Sequence, residues 1–282
     1  MKKFLLILLA AVLLLPLASC GGSASSGNAV KVIDIPLTVE EYAYAVKKGD
    51  AELLADVNAF LAEIKSNGKF DEVLNRYFGD GTPAGVTSAV KGASANQLVV
   101  ATNAGFEPFE YKKGDTYYGI DMEIMGMFAE YKGLELVIDN MEFESVCTSV
   151  AEGMCDVAAA GLTVNDKRKE TLDFSESYYN AAQVLIVKSS DTTFDACTTA
   201  EEVEAILNGF TADKKIGVQT GTTGNFYVKG DVDWGFNGFA VTCVPYENGS
   251  LAVQNILNGN CDYVIIDEAP AKAITVNINK NN

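Results

Sequence analysis

The chain has 282 residues, 48% of them hydrophobic, with 21 Lys and Arg against 38 Asp and Glu for a net charge of −17. That acidic excess argues against nucleic acid or an anionic membrane face as partner. With no histidine anywhere, His-containing metal sites and Ser-His or Cys-His catalysis are excluded.

Lys2 and Lys3 precede an apolar run from Phe4 to Leu17 that is too short for a comfortable membrane span. Leu17-Ala18-Ser19-Cys20 then supplies a small-residue cleavage site, so residues 1–19 read as a secretory signal peptide. The Cys directly after the small residues resembles a bacterial lipobox. The resemblance implies cleavage before Cys20, lipid on its sulfur and a lipid anchor in a membrane; an ordinary signal peptide with a chance Cys is the alternative. Residues 20–30 read as a flexible tether.

Residues 31–81 show strand character at "KVIDIPL" and "EEYAYAV", then a helix over 51–67 and a shorter one ending at Gly79 to Gly81. Leu53, Val57, Phe60, Leu61 and Ile64 form one stripe on the longer helix and need a surface to cover. About 50 residues make a poor core alone, so this segment is expected to complete a larger fold. Residues 82–97, "TPAGVTSAVKGASANQ", read as a linker.

From Leu98 strands and helices alternate: strand "LVVATNAG", helix "GIDMEIMGMFAEYKG" capped by Asp121, strand "LELVIDNM", helix "ESVCTSVAEG", strand "CDVAAAGLTV". The order returns as strand "KIGVQTG", helix "TGNFYVKG", strand "VTCVPY", helix "SLAVQNILNG", strand "CDYVIID" and helix "EAPAKAITV". Cys155 and Cys261 occupy the same place in each half, separated from a preceding Gly by one residue and just before an Asp at a strand entrance. Two such units predict two lobes, each with a parallel-type sheet, whose carboxyl strand ends face each other across a cleft where a ligand would sit. Cys147, Cys155, Cys197, Cys243 and Cys261 are odd in number, so at least one thiol stays unpaired.

The blocks "ATNAGFEPFEY", "GIDMEIMGMFAE", "AAAGLTVNDKRKETLDFSESYYNAAQVLIVK", "IGVQTGTTG" and "CDYVIIDEAPA" together resemble the type II periplasmic solute-binding proteins for polar amino acids, the receptors of ABC importers. The resemblance implies a two-lobed α/β fold, each lobe a mainly parallel sheet flanked by helices. In that family a segment like residues 31–81 follows the block matching "DYVIIDEAPAKAITVNINKNN". Here it comes first, so the sequence resembles a circular permutant. The implied organisation places 31–42 in lobe 2 and the hinge, 43–81 in lobe 1, 82–97 as the permutation linker, 98–177 in lobe 1, 178–182 in the hinge and 183–282 in lobe 2. A separate small N-terminal domain is the alternative.

A free amino acid presents a carboxylate, an ammonium and a side chain. The resemblance assigns the carboxylate to Arg168, whose planar guanidinium suits it, and to a backbone N–H at Thr223. By itself, Arg168 in "DKRKE" reads as a surface charge. Asp267, with the Thr163 hydroxyl and the Gly161 carbonyl, would take the ammonium; capping the next helix is the plainer role for Asp267. Phe106 and Phe143 would sandwich the side chain, whereas Phe109 and Phe128 read as core. Asn103 stands where basic-ligand members often carry Asp, and Gln219 is likewise neutral, which favours a polar uncharged ligand with a basic one second. Glu110 keeps the basic option open.

The expectation is thus an extracytoplasmic, monomeric binding lipoprotein whose partners are an amino acid and a membrane permease, with no cofactor and no metal. Two rivals share the scaffold: a cyclohexadienyl- or arogenate-type dehydratase, with Glu110 or Glu247 as general acid, and an amino-acid sensor module.

Overall fold

The computed structural model describes residues 29–280. The expected signal peptide, the lipidation at Cys20 and the tether as far as Asn28 lie outside the described residues. In chain order the first segment forms β1 (Val30–Ile33), β2 (Glu40–Tyr42), β3 (Ala45–Lys47), α1 (Ala51–Ser66) and α2 (Lys69–Phe78). Next come β4 (Gln97–Thr102), the small sheet of β5 (Gly105–Phe106), β6 (Glu110–Lys113) and β7 (Thr116–Tyr118), then α3 (Ile120–Lys132), β8 (Glu135–Asn140), α4 (Phe143–Ala151), β9 (Val157–Ala158), α5 (Asp166–Lys169) and β10 (Leu172–Phe174). The remainder is β11 (Tyr179–Ala181), β12 (Gln183–Lys188), α6 (Ala200–Asn208), β13 (Lys215–Gln219), α7 (Thr223–Lys229), β14 (Thr242–Tyr246), α8 (Gly249–Leu257), β15 (Tyr263–Asp267) and α9 (Glu268–Lys280).

Two five-stranded sheets organise the chain into a mixed α/β fold. One has the order β10-β3-β9-β4-β8, the other β1-β12-β15-β13-β14. In each, two neighbouring pairs are parallel and two are antiparallel, because strands from the crossovers and the N-terminal segment join the parallel βαβ core in the reverse sense. Between the sheets, β11 pairs antiparallel with β2 as a two-stranded link. This places "EEYAYAV" and "SYYNAAQ" side by side at the junction of the lobes.

The repeated Gly-x-Cys-Asp has one structural meaning in both halves. Asp156 carries its carboxylate to the Val99 N–H at 2.7 Å while its own N–H donates to the Val99 carbonyl. Asp262 does the same with Lys215, at 2.9 Å. Each Asp therefore clamps the entrance of its strand to the neighbouring parallel strand, satisfying backbone groups where the two strands begin.

The N-terminal segment is built into both sheets. β1 pairs with β12 and β3 sits between β9 and β10. The predicted stripe of α1 is mostly buried, at Val57, Phe60, Leu61 and Ile64, with the Phe60 ring 5.3 Å from that of Phe128 on α3. Phe109 and Phe128 are core, as expected. Residues 84–89 run along the first sheet's lobe, through a bridge between Val86 and Tyr117 and a hydrogen bond from the Ala89 N–H to the Leu136 carbonyl.

Several local expectations change. Asp121 does not cap α3: Gly119 holds that position, and the buried Asp121 carboxylate instead accepts the Gly161 N–H at 2.9 Å. The expected strand "CDVAAAGLTV" is ladder-paired only at Val157–Ala158, because the chain peels away toward the cleft at Gly161. The hairpin β5–β7 and helix α6 have no counterpart in the elements read from sequence. All five described cysteines are free.

Candidate functional site

The site forms where the parallel strands end. Asn103 follows β4, Gly161 and Thr163 follow β9, Phe143 opens α4 after β8, Gln219 ends β13, and Asp267 ends β15. Strand carboxyl ends are where open α/β sheets expose loops and helix starts to a ligand. These residues, with Phe106, Arg168, Thr222 and Thr223, line one enclosed pocket between the sheets whose free volume is only about 10 Å³, because the side chains of the two lobes nearly fill it. All nine ligand-contacting residues expected from sequence are on its wall, and Thr222 joins them.

Local structure aims each side chain. Asn165 caps α5, its side chain accepting the Arg168 N–H at 2.8 Å. One turn later the Arg168 side chain turns inward, is buried, and donates Nη1 to the Thr163 carbonyl at 2.7 Å. Phe143 lies 5.5 Å and Trp234 5.0 Å from its guanidinium carbon. Burial lowers its pKa from the usual arginine value. Gly161 has φ +50°, and a Cβ there would lie 2.8 Å from Phe106 Cε1 and 3.2 Å from Tyr42 Cε2. Only glycine fits that close approach.

The opposing lobes touch through side chains of the pocket itself. Gln219 Nε2 donates to Asn103 Oδ1 at 3.0 Å, and the Thr223 hydroxyl reaches that of Thr163 at 3.3 Å. Asn103 Nδ2 donates in turn to the Met141 carbonyl at 2.7 Å. Thr222 caps α7 by accepting the Asn225 N–H, while its hydroxyl donates to the Gln219 carbonyl at 2.7 Å.

Behind the pocket lies a group of buried acids. The Tyr42 hydroxyl donates to Asp267, whose carboxyl burial pushes up to about 7, with nearby Glu40 adding to the rise and Tyr42 opposing it. Glu40 accepts from Thr163 at 2.7 Å and from Gln183 Nε2 at 3.0 Å. Burial pushes Asp121 to about 6. Glu110 is fully buried with neither oxygen hydrogen-bonded, and burial, then Asp121 and Asp267, hold its carboxyl well above the ordinary range. Around one buried guanidinium, the arrangement offers a fork for a carboxylate, an acid with hydroxyl neighbours for a cation, and an aromatic and amide-lined slot. The sequence reading missed Glu40, Tyr42, Thr222, Gln183 and Trp234. Glu40 and Tyr42 were signalled by their crossover strand; Trp234 carried no signal beyond being the chain's single Trp.

Among the described residues no group of His, Cys, Asp and Glu is arranged to hold a metal ion, and no helix is long and apolar enough to cross a membrane.

Residues 98–272 match the sequence profile of the bacterial extracellular solute-binding proteins, family 3. The arginine-binding extracellular protein ArtP of Bacillus subtilis (strain 168) is 32% identical over 107 residues, 38% of this chain and 42% of that protein. A probable histidine-binding protein of Neisseria gonorrhoeae is 28% identical over 185 residues, 65% of this chain and 62% of the other. The chain thus spans less than two thirds of the length of either relative. Among solved structures, the arginine-bound form of truncated ArgBP from T. maritima superposes with a TM-score of 0.54 at 28% identity, covering 64% of this chain and 78% of that one.

Proposed function

The chain belongs to the bacterial extracellular solute-binding proteins of family 3, and from that membership we propose that it binds a free L-amino acid in the interlobe pocket and closes over it. The observation that carries this reading is the convergence of Arg168, Asp267, Thr163 and Thr223 on one enclosed pocket between the sheets. In this reading Arg168 and the Thr223 N–H take the ligand carboxylate. Asp267, the Thr163 hydroxyl and the Gly161 carbonyl take its ammonium. Phe106 and Phe143 hold the side chain beside Asn103 and Gln219. Two neutral amides at that end favour a polar uncharged side chain, with a basic one second. The pocket joins both lobes, so a ligand making contacts only in the closed arrangement shifts the two-lobed equilibrium toward it.

The remaining assignments follow as proposals: a lipoprotein anchored through Cys20 outside the cytoplasm, monomeric, delivering its amino acid to an ABC permease. The relatives reported above are named as binding proteins, which supports a binding role over a dehydratase. Glu110 and Glu247, the acids an enzyme would use, are not among the residues lining the pocket.

The connectivity is proposed to be a circular permutation of the family order, with lobe and hinge boundaries as read from sequence. In support, the family match lies within 98–272, while β1 to α2 fall outside it yet complete both sheets. The described ends also meet: the Val30 N–H donates to Asn279 Oδ1 at 3.0 Å, and Asn279 Nδ2 donates to the Val30 carbonyl at 2.8 Å.

The test is thermal unfolding of the protein with each of the twenty amino acids, ornithine and cystine, beside Arg168→Ala. A ligand at 100 times its Kd adds about 2.7 kcal/mol of stability. One or a few stabilising amino acids, lost in Arg168→Ala, are expected. A folded protein that none of them stabilises would refute the amino-acid reading.

A further inference from the structure

The excursion between α7 and β14 carries the chain's single tryptophan. It is a tight, self-supporting loop. Asp231 and Phe236 form a two-way backbone bridge around a turn of 3-10 helix at Val232–Trp234. At its base Gly230 and Gly238 pack backbone on backbone, and a Cβ on Gly238 would lie 2.4 Å from the Gly230 nitrogen. The Trp234 ring stacks on Phe226 of α7, with centroids 4.3 Å apart and planes at 26°. Its own lobe therefore holds the ring in place.

What the ring reaches is in the other lobe. The Arg168 guanidinium, on α5 beyond β9, lies 5.0 Å from Trp234 and 5.5 Å from Phe143, so one lobe supplies each aromatic flank. An exposed ion pair between Lys167 and Asp233 at 3.8 Å lies at the same crossing. Trp234 is only half-buried and belongs to none of the hydrophobic cores. Nor does it line the enclosed pocket. It covers the outer side of that pocket, where a recess of about 350 Å³ opens between Phe143, Lys167, Arg168, Asp233 and Trp234.

We infer that Trp234 is a positioning residue for Arg168: a clamp carried by the second lobe that engages the guanidinium only when the lobes are together. The inference rests on the proposal that Arg168 takes a ligand carboxylate. A cation–π contact holds the guanidinium at fixed depth without using the N–H donors that the carboxylate needs. It also shields the charge from water, which strengthens the ion pair formed on its other side. Since the contact joins two lobes, its energy adds to the closed arrangement alone and raises apparent ligand affinity through the closure equilibrium.

Because the chain has one Trp, its emission reports this contact directly. In the full chain without added amino acid, Arg168→Ala is expected to shift Trp234 emission to the red and to increase its quenching by acrylamide. Emission and quenching equal to those of the unmodified protein overturn the clamp, whatever the protein binds. The second arm uses calorimetric titration with each of the twenty amino acids, ornithine and cystine. Trp234→Ala is expected to bind the recognised amino acid about 5- to 30-fold more weakly. Trp234→Phe should recover most of the affinity. Equal affinity in Trp234→Ala also overturns the inference. If no amino acid binds the unmodified protein while Arg168→Ala still exposes Trp234, the amino-acid reading fails and the interlobe clamp stands.

Discussion

The Tyr42 hydroxyl donates to the Asp267 carboxylate across 225 positions of chain, tying a crossover strand to the end of β15 inside the cleft. Burial drives this carboxyl up to about 7, and Asp121 nearby to about 6. A carboxyl with a higher pKa folded than unfolded binds more protons in the native state. Its contribution to stability is therefore full below its ordinary value near 4 and is lost as pH rises through the folded value. The melting temperature of the protein without added amino acid should fall from pH 5 to pH 8. Each group contributes at most about 1.4 kcal/mol per pH unit inside its window. Asp267→Asn should flatten the profile between pH 4 and about 7. Amino-acid affinity should move oppositely, rising as Asp267 ionises to meet an ammonium. A melting temperature that climbs from pH 5 to 8 would contradict the assignment.

Gly161→Ala should damage the site more than its size suggests. The position has φ +50°, and the new methyl would press on the Phe106 and Tyr42 rings at 2.8 and 3.2 Å. A destabilisation of about 1–3 kcal/mol in urea unfolding is expected. Loss of amino-acid binding should exceed what that destabilisation explains, because the displaced rings belong to the pocket and to the Asp267 partner. Unaltered binding in calorimetry would show that the backbone turn at Gly161 has no part in shaping the site.

Asn103→Asp tests what sets ligand charge preference. The Gln219 bond to Oδ1 survives this change, but the donor to the Met141 carbonyl is lost and a carboxylate faces a carbonyl. Stability should fall by about 1–3 kcal/mol. A cationic side chain would relieve the new charge, so affinity for arginine and ornithine should rise about tenfold relative to glutamine. Competition titrations measure the ratio, and an unchanged ratio would place the ligand side chain elsewhere.

Rewriting the chain as residues 95–282 followed by 29–94 tests the permuted connectivity. The Val30–Asn279 contact brings the junction together, and the new ends fall in the turn before β4. Chemical unfolding should remain a single transition within about 2 kcal/mol of the natural order, since only the lengths of connecting loops change. A reordered chain that fails to fold, while the natural order folds, would argue that residues 29–81 are not an exchanged half of the same lobes.

Much of this molecule was legible locally. The stripe of α1, the strand-helix alternation and the paired Gly-x-Cys-Asp motifs are short-range patterns, and the elements they mark are present, although "CDVAAAGLTV" is a strand only at Val157–Ala158. Arg168, Asp267 and the other pocket residues became legible only when those elements were read against a known family, since a single Arg in "DKRKE" has the chemistry of any surface charge. The hairpin β5–β7 and helix α6 escaped because their patterns are brief and weak in periodicity.

By itself the sequence determined the order of the main strands and helices of each half, their twofold repeat and the absence of imidazole chemistry, because periodicity and composition act through neighbours along the chain. Only the tertiary structure decided that each sheet mixes parallel and antiparallel pairs, that Asp121 faces Gly161 instead of capping α3, that Tyr42 meets Asp267, and that Trp234 covers Arg168 from the opposite lobe. The reason is physical: burial, hydrogen-bond partners and the ionisation of buried acids depend on groups that are distant in sequence and become neighbours only when the sheets and lobes pack.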